Sequence, residues 1–167
     1  MLYGEVFSEF QKQKVRYTIV GGLALNLLGV FRGTADLDIL VEMSDENLAK
    51  IVTILTRQGY RVKQPVDPMG IADSKTRNGW IKNKHMKAFN FYKEKEFKEV
   101  DIIIDSPVSF REAIKTAKHI QSSHLTLPVI SVDNLIKMKK KTDRDIDKVD
   151  INQLKRIKKI NAGTNDK

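Results

Sequence analysis

A pair of glycines followed at a fixed distance by a pair of carboxylates constrains the fold of this chain more than any other feature. An apolar run over residues 17–20 stops at Gly21 and Gly22, and a short helical pattern follows. After a polar turn, a second apolar run begins with Asp36 and Asp38 at alternate positions. The stretch therefore predicts a strand, a tight glycine turn, a short helix and a second strand.

The two carboxylates predict a metal site. Successive side chains of a strand point to opposite faces, so Asp36 and Asp38 share one face. Neighbouring carboxylates repel each other, and a cation between them relieves the repulsion. Because hard oxygen ligands suit Mg²⁺, or Mn²⁺ in its place, we expect a divalent cation here.

The two glycines predict an anion site beside the metal. Without a Cβ, Gly21 and Gly22 allow a ligand to approach the backbone closely. The buried helix predicted at residues 23–28 would present free amides to a phosphate. Either motif alone is usually a plain turn or a solvated strand edge, but their order and spacing together favour a site for a nucleoside triphosphate.

Composition bounds the class of protein. The 167 residues are 41% hydrophobic and 31% charged, which indicates a globular domain at residues 1–160 followed by a polar tail at 161–167. The absence of cysteine excludes disulfides and cysteine-based zinc sites. Glu5 and Glu9 interrupt the N-terminal apolar pattern, which excludes a signal peptide, and no apolar run could span a bilayer. A cytoplasmic protein that binds no membrane is expected.

The net charge of +9 is concentrated in two segments. Residues 75–98 contain eight Lys or Arg against two Glu, and residues 137–159 contain ten against four Asp. These segments could form a surface for a polyanion such as RNA. The alternative is that they are solvated faces of helices and loops in a lysine-rich chain.

The remaining pattern predicts an α/β (α+β) fold, a small mixed sheet flanked by helices and completed by a C-terminal helical pair. Predicted helices lie within residues 2–13, 45–58, 110–118, 132–141 and 144–160. Predicted strands lie within residues 60–63, 80–83, 88–92, 99–105 and 125–130. Residues 65–79 are expected to form a loop bordering the site, the strands at 80–83 and 88–92 a hairpin, and the strand at 125–130, which contains Pro128, an edge.

The glycine–carboxylate stretch resembles the nucleotidyltransferase superfamily that includes DNA polymerase β. It is most similar to small bacterial nucleotidyltransferases of the abortive-infection-toxin type. The residues that match their front motif in order are Gly21, Gly22, Ala24, Leu25, Gly29, Arg32, Thr34, Asp36, Leu37 and Asp38. Those that match their rear motif are Leu135, Ile136, Met138, Lys139, Arg144, Asp147, Asp150 and Ile151, whereas Ile146 stands where the family often has lysine.

The resemblance implies a third carboxylate on a strand beside Asp36 and Asp38. Asp101, flanked by apolar residues, fits that position, where it would bind the metal and activate the attacking hydroxyl. Asp105 is the less favoured choice, because it is followed by the residues of a turn. A salt bridge to a lysine is the structural alternative for Asp101.

Further residues would steady the triphosphate or serve the fold. Arg32 and Lys139 would neutralise phosphate charge, and Thr34 would orient a carboxylate or satisfy the turn. Arg32 could instead pair with Asp36 or Asp38. Asp147 and Asp150 are expected to tie the last two helices together through Lys139 or Arg144.

The resulting hypothesis is a metal-dependent enzyme that transfers a nucleoside monophosphate from an NTP to a hydroxyl. The resemblance implies tRNA, another RNA or a protein as acceptor, with an antitoxin-like protein as partner. An adenylyltransferase for small antibiotics is the alternative, ranked lower because a cationic drug needs an acidic pocket and this chain is basic. A binding module with the same fold is the non-enzymatic alternative.

Overall fold

The structure, a computed structural model, describes residues 2–164. Its strands are β1 (Tyr17–Val20), β2 (Asp36–Val41), β3 (Arg61–Val62), β4 (Ala88–Lys93), β5 (Lys98–Ile103), β6 (Lys118–Ser122) and β7 (Leu125–Val129). Its helices are α1 (Gly4–Lys12), α2 (Gly21–Leu27), α3 (Asp45–Arg57), α4 (Ser74–Lys84), α5 (Phe110–Lys115), α6 (Val132–Thr142) and α7 (Asp145–Thr164). The predicted α/β class is confirmed.

One mixed sheet of seven strands runs through the described part of the chain in the order β3-β4-β5-β2-β1-β7-β6. β2 lies at its centre, antiparallel to β1 and parallel to β5. β4 and β5 form an antiparallel hairpin closed by a 3₁₀ turn at Glu94–Glu96. The strand that begins with the carboxylates is therefore held on both sides by neighbours.

The face of the sheet opposite the carboxylates forms the core. Alternate residues of β2, Leu37 and Ile39, are fully buried there. Tyr17 of β1 packs between two aromatic rings of α1, stacked on Phe7 at 6.1 Å and edge-on to Phe10 at 5.1 Å. Because this face is buried, a one-residue slip of β2 would bury its aspartates, so the packing fixes the register.

α3 begins where the sequence predicts. The Ser44 side chain accepts a hydrogen bond from the backbone N–H of Asn47, and Asp45 and Glu46 lie in the first turn. The Asn47 amide in turn bonds to the backbone of Arg16 and to the carbonyl of Glu42. This buried side chain ties the ends of β1 and β2 to α3.

The predicted loop at 65–79 and the predicted strand at 80–83 are wrong. The chain forms a 3₁₀ helix at Pro68–Ala72, and residues 80–83 lie in α4. α4 carries no apolar stripe, and individual side-chain contacts hold it against the rest of the fold. Arg77 donates hydrogen bonds to the carboxylate of Asp45 and to the carbonyls of Ile71 and Met43. Trp80 stacks on Phe89 at 5.7 Å. Such tertiary contacts leave no periodic signal in the sequence.

The prediction that residues 125–130 form an edge strand is also wrong. β6 pairs with the outer side of β7, so β7 lies inside the sheet and Pro128 is paired with His119 of β6. The predicted helix at 110–118 ends at Lys115 for the same reason, since Lys118 already belongs to β6. β6 is largely exposed and only half-buries Ile120, which explains why its sequence lacks a strand pattern.

The C-terminal helical pair is confirmed, with Ser131 capping α6 and a break at Asp143 before α7. α7 continues to Thr164, so residues 161–164 of the predicted tail are helical, and residues 165–167 lie outside the described residues. Among residues 2–164, no helix combines the length and apolar character that crossing a membrane requires.

Candidate active site

The three predicted carboxylates lie on one face of two adjacent strands. In the parallel pairing of β2 with β5, Asp38 is directly opposite Asp101, and Asp36 is opposite Glu99. Paired residues of neighbouring strands project to the same side. Asp105, the less favoured candidate, lies beyond the end of β5 and pairs with Lys141 at 2.5 Å.

The electrostatics of this face are those of crowded acids. Burial, reinforced by the charges of Asp101 and Asp36, raises the pKa of Asp38 to about 6. Burial also raises the pKa of Asp101, although a hydrogen bond from Asn90 to Asp101 Oδ1 at 2.8 Å opposes that shift. The folded protein therefore holds these carboxylates together against their repulsion, a condition that a bound cation relieves.

Gly21 and Gly22 are required by the close approach of the carboxylate strand. Gly21 has a φ of +64°, and a Cβ on it would overlap the carboxylate of Asp38. A Cβ on Gly22 would come within 2.8 Å of the Thr34 hydroxyl. The glycine pair thus lets Asp38 and Thr34 lie against the start of α2, which no other residue would allow.

Gly21→Ala is expected to destabilise the protein by about 1–3 kcal/mol, because it combines an unfavourable φ with a clash at Asp38. Urea denaturation measures the change. The matched control is Gly79→Ala in α4, where an added Cβ meets nothing within 4 Å. That substitution is expected to be neutral or to stabilise the helix by up to about 1 kcal/mol. Equal stability of the two variants would contradict the assigned role of Gly21.

A cavity of about 490 Å³ is lined by Asp38 on one strand and by residues of α6. Its volume falls in the range of small-molecule sites, roughly 300–1,000 Å³. Its walls combine apolar side chains with four cations and three carboxylates. The lining residues are Val20, Gly21, Asp38, Lys87, Ala88, Ile103, Asp105, Pro107, Leu135, Met138, Lys139, Lys141, Thr142, Arg144 and Asp147.

Lys139, predicted to meet a triphosphate, is held by two aspartates of α7. Its Nζ lies 3.2 Å from Asp147 Oδ1 and 2.8 Å from Asp150 Oδ2. Asp147 is fully buried and also accepts hydrogen bonds from Thr142 and from the backbone and guanidinium of Arg144. Burial alone would raise the pKa of Asp147, but these hydrogen bonds hold it well below its usual range. The expected tie between the last two helices is therefore present.

Arg32 joins this network from the front motif. Its Nε lies 3.8 Å from Asp150 Oδ2, so its ion pair is with Asp150 rather than with Asp36 or Asp38. The Asn26 side chain fixes the turn, accepting from the Arg32 N–H at 2.6 Å and donating to its carbonyl at 2.8 Å. The front and rear motifs thus meet at Asp150.

Two amide side chains that the sequence analysis missed support Asp101. Asn90 of β4 donates to Asp101, and Gln64 donates to Asn90 Oδ1 at 2.6 Å while accepting from the Asn90 N–H at 3.3 Å. Alternation along β4 places Asn90 opposite Asp101. Recognising this from sequence would have required knowing that β4 and β5 form the hairpin.

The donor chemistry fits the expected Mg²⁺ or Mn²⁺. Asp36, Asp38 and Asp101 offer hard oxygen ligands on one face, and their repulsion favours a cation. Among residues 2–164, no group of three or more His, Cys, Asp or Glu side chains is already arranged to hold a metal ion. Asp101 instead accepts the hydrogen bond from Asn90. The metal-binding roles of these residues stay a prediction.

Solved structures share this fold. One is a lincosamide antibiotic adenylyltransferase, LnuA, bound to lincomycin; at 18% identity and a TM-score of 0.60, the match covers 91% of this chain and 93% of that one. A second is ANT(2")-Ia in complex with adenylyl-2"-tobramycin, at 14% identity and a TM-score of 0.58, covering 97% and 94%. A third is a Thermotoga maritima protein assigned as a nucleotidyltransferase, at 15% identity and a TM-score of 0.52, covering 97% and 89%.

Sequence comparison identifies the family. No curated protein matches the chain significantly. The family model described as aminoglycoside-2''-adenylyltransferase matches residues 3–154, which is most of the chain and includes both motifs. The predicted nucleotidyltransferase superfamily is thereby confirmed, whereas the closer similarity to abortive-infection toxins stays a prediction. The chain belongs to the aminoglycoside-2''-adenylyltransferase family.

Proposed function

We propose that this protein is a metal-dependent nucleotidyltransferase that moves an adenylyl group from ATP to a hydroxyl of a small antibiotic-like molecule. The observation that carries the proposal is the register of β2 with β5, which sets Asp38 opposite Asp101 beside the cavity. Membership of the adenylyltransferase family supports the same reaction.

The nucleotide occupies the cavity in this proposal. The apolar side chains of Leu135 and Met138 offer a surface for the base and ribose, while Lys139 and Arg144, which line the same cavity, would neutralise the charge of the triphosphate. Gly21 lines the same cavity and permits close approach of a phosphate to the backbone. Gly22, Arg32 and Thr34 would complete the nucleotide site from the start of α2 and the turn that the Asn26 side chain fixes.

Asp36, Asp38 and Asp101 would hold the divalent cation, which supplies charge neutralisation at the α-phosphate. Asp101 accepts the proton of the acceptor hydroxyl as its oxygen forms a bond to the α-phosphorus. The bond from the α-phosphorus to the bridging oxygen breaks, and pyrophosphate leaves. Asn90 holds Oδ1 of Asp101 by a hydrogen bond, which leaves Oδ2 for the cation and the acceptor hydroxyl.

A small molecule now ranks above RNA or protein as the acceptor, whereas the net charge of the chain favoured the opposite order. Lincomycin and adenylyl-2"-tobramycin are the molecules bound in two structures of the same fold. The face that carries the carboxylates is acidic despite the basic chain, because Asp36 and Glu99 lie beside Asp101. Several cations are neutralised by partners, as Lys63 is by Glu99 at 2.6 Å. A small cationic acceptor is therefore favoured over tRNA or a protein, since net charge does not give the local potential.

The proposal is tested by incubating the protein with each labelled NTP, Mg²⁺ and one acceptor at a time. The acceptors are tobramycin, lincomycin, total tRNA and a cell extract. Label in a small molecule supports the proposal, with ATP as the expected donor. Label in RNA or protein would overturn the proposal and show that one of these is the acceptor. Nucleotide binding without any transfer would indicate a binding module.

Asp101→Asn is expected to lower the transfer rate by about 10²–10⁴-fold, the usual contribution of a general base. Asparagine keeps the oxygen that accepts from Asn90, so the fold should be retained. The control is Asp133→Asn on the exposed side of α6, where the carboxylate pairs only with Lys158 among the described contacts. Steady-state kinetics compare the two, and similar rates for both variants would remove Asp101 from the mechanism.

A further inference from the structure

We infer that Tyr3 is a positioning residue for the reaction: its hydroxyl holds β2 and β5 together at the end of the ladder where the carboxylates stand. The inference rests on the proposed function, because it assigns Tyr3 the task of aligning Asp36 and Asp38 with Asp101. Tyr3 lies outside the lining of the cavity, so it acts through backbone and not by contact with substrate.

One hydroxyl contacts both strands. The Tyr3 oxygen lies 2.5 Å from the carbonyl oxygen of Ala35 and 2.7 Å from that of Glu99, so its single proton is shared between two acceptors. The N–H of Glu99 donates back to the hydroxyl at 3.0 Å. Ala35 immediately precedes Asp36, and Glu99 stands two residues before Asp101.

The contact closes the open end of a short ladder. β2 and β5 are paired from Asp36 opposite Glu99 to Ile39 opposite Ile102, which is only four residue pairs. Strand ends fray, and Asp36 is the first residue of β2. The hydroxyl of Tyr3 joins the backbone of Ala35, just outside the first pair, to that of Glu99 within it, and the pairing of β2 with β5 does not hold Ala35.

The backbone of Tyr3 adopts a strained conformation at the position from which its hydroxyl reaches the two strands. Tyr3 has a φ of +63° at the start of α1, a left-handed conformation that costs free energy for an aromatic residue. The residue is 2% exposed, and its carbonyl accepts from the N–H of Phe7. The surroundings thus impose a strained conformation that delivers the hydroxyl to the two strands. Burial, partly offset by the backbone of Glu99, also raises the pKa of Tyr3 to about 12, so the hydroxyl keeps its proton.

Tyr3→Phe tests the assignment, because it retains the ring and removes only the hydroxyl. We expect kcat to fall about 10–100-fold with the KM for ATP within about twofold, since small misplacement of reacting groups lowers the rate without loosening nucleotide contacts. Mn²⁺ affinity, measured by electron paramagnetic resonance without nucleotide, is expected to weaken about 10-fold. Hydrogen exchange at the Glu99 N–H should become faster.

Two further variants separate positioning from general stability. Tyr17→Phe removes the hydroxyl of another buried tyrosine, on the neighbouring strand β1, and is expected to change neither kcat nor Mn²⁺ affinity. Replacing Tyr3 by 4-aminophenylalanine restores a donor at the same place and should recover most of the lost rate and affinity. It also serves as the test if Tyr3→Phe does not fold.

The results decide the two proposals separately. A Tyr3→Phe variant with wild-type kcat and wild-type Mn²⁺ affinity would overturn the positioning role, even with faster exchange at Glu99. A wild-type protein that transfers no nucleotide would end the proposed function. In that case the Mn²⁺ affinities of the Tyr3 variants still decide whether the hydroxyl aligns the carboxylates.

Discussion

Replacing Asp38 by asparagine is expected to abolish nucleotidyl transfer and to stabilise the metal-free protein. Transfer should fall by at least about 10⁴-fold, because Asp38 is both opposite Asp101 and exposed to the cavity, where the cation and the α-phosphate are proposed to meet. Asparagine has nearly the same shape, so the close contact with Gly21 is preserved.

The gain in stability follows from the pKa of Asp38, which burial and the neighbouring carboxylates raise from 3.8 to about 6. Between these values the folded state binds a proton more tightly than the unfolded chain, so the wild-type protein loses stability as the pH rises through that window. A shift of about two pKa units corresponds to about 3 kcal/mol. Asp38→Asn removes this cost, so its advantage should be small near pH 4 and largest at and above about pH 7.

Urea denaturation in the presence of a chelator, compared at about pH 4 and pH 7, measures the stability difference. Asp133→Asn is the control for both transfer and stability, because the carboxylate of Asp133 is exposed and pairs with Lys158. Added Mg²⁺ should stabilise the wild type and leave Asp38→Asn unchanged. An Asp38→Asn variant that is less stable than the wild type at neutral pH would show that the carboxylates are not crowded in the way described.

Asp147→Ala is expected to lower the free energy of unfolding by about 3–5 kcal/mol. The carboxylate of Asp147 is fully buried and accepts hydrogen bonds from Lys139, Thr142 and Arg144. Its loss leaves the buried ammonium of Lys139 with Asp150 alone. Typical domains are stable by about 5–15 kcal/mol, so this single change removes a large share of the total.

Acid should have a similar effect on the wild type. The pKa of Asp147 is depressed in the folded state, so its stabilising contribution is complete above the unfolded pKa of about 4 and is lost as the pH falls further. Thermal unfolding from about pH 2 to pH 6 measures the loss. The control is Asp133→Ala, which breaks the exposed pair with Lys158 and should cost less than about 1 kcal/mol. Equal losses for the two alanine variants would contradict the buried network.

The sequence predicted the placement of the carboxylates better than the structure around them. Alternation along β2 placed Asp36 and Asp38 on one face, and Leu37 and Ile39, which alternate with them, predicted the buried side correctly. The approach of Asp101 could not follow from periodicity, because some sixty residues separate it from Asp38 along the chain. Resemblance to a family supplied that pairing, and the register of β2 with β5 agrees with it.

The failures have a common physical origin. α4 and β6 are held by a few specific contacts, the Arg77 hydrogen bonds and the pairing with β7, and bury little apolar surface. Hydrophobic periodicity reports burial, so it is silent for such elements. Tyr3 and Asn90 were missed because hydrophobic periodicity does not show which elements pair: Tyr3 contacts Glu99, 96 positions along the chain, and Asn90 contacts Asp101 across the β4–β5 hairpin.

The parallel pairing of β2 with β5 also has a consequence for biosynthesis. The segment that carries Asp38 leaves the ribosome long before residues 98–103. The hydroxyl of Tyr3 cannot form its hydrogen bond with Glu99 until that residue, 96 positions later, has been synthesised. Loop closure over such a span is slow compared with formation of local helices. A nascent chain therefore carries its glycine turn and its first two acids for seconds before Asp101 can join them, and a product that ends before β5 lacks the third carboxylate of the proposed site.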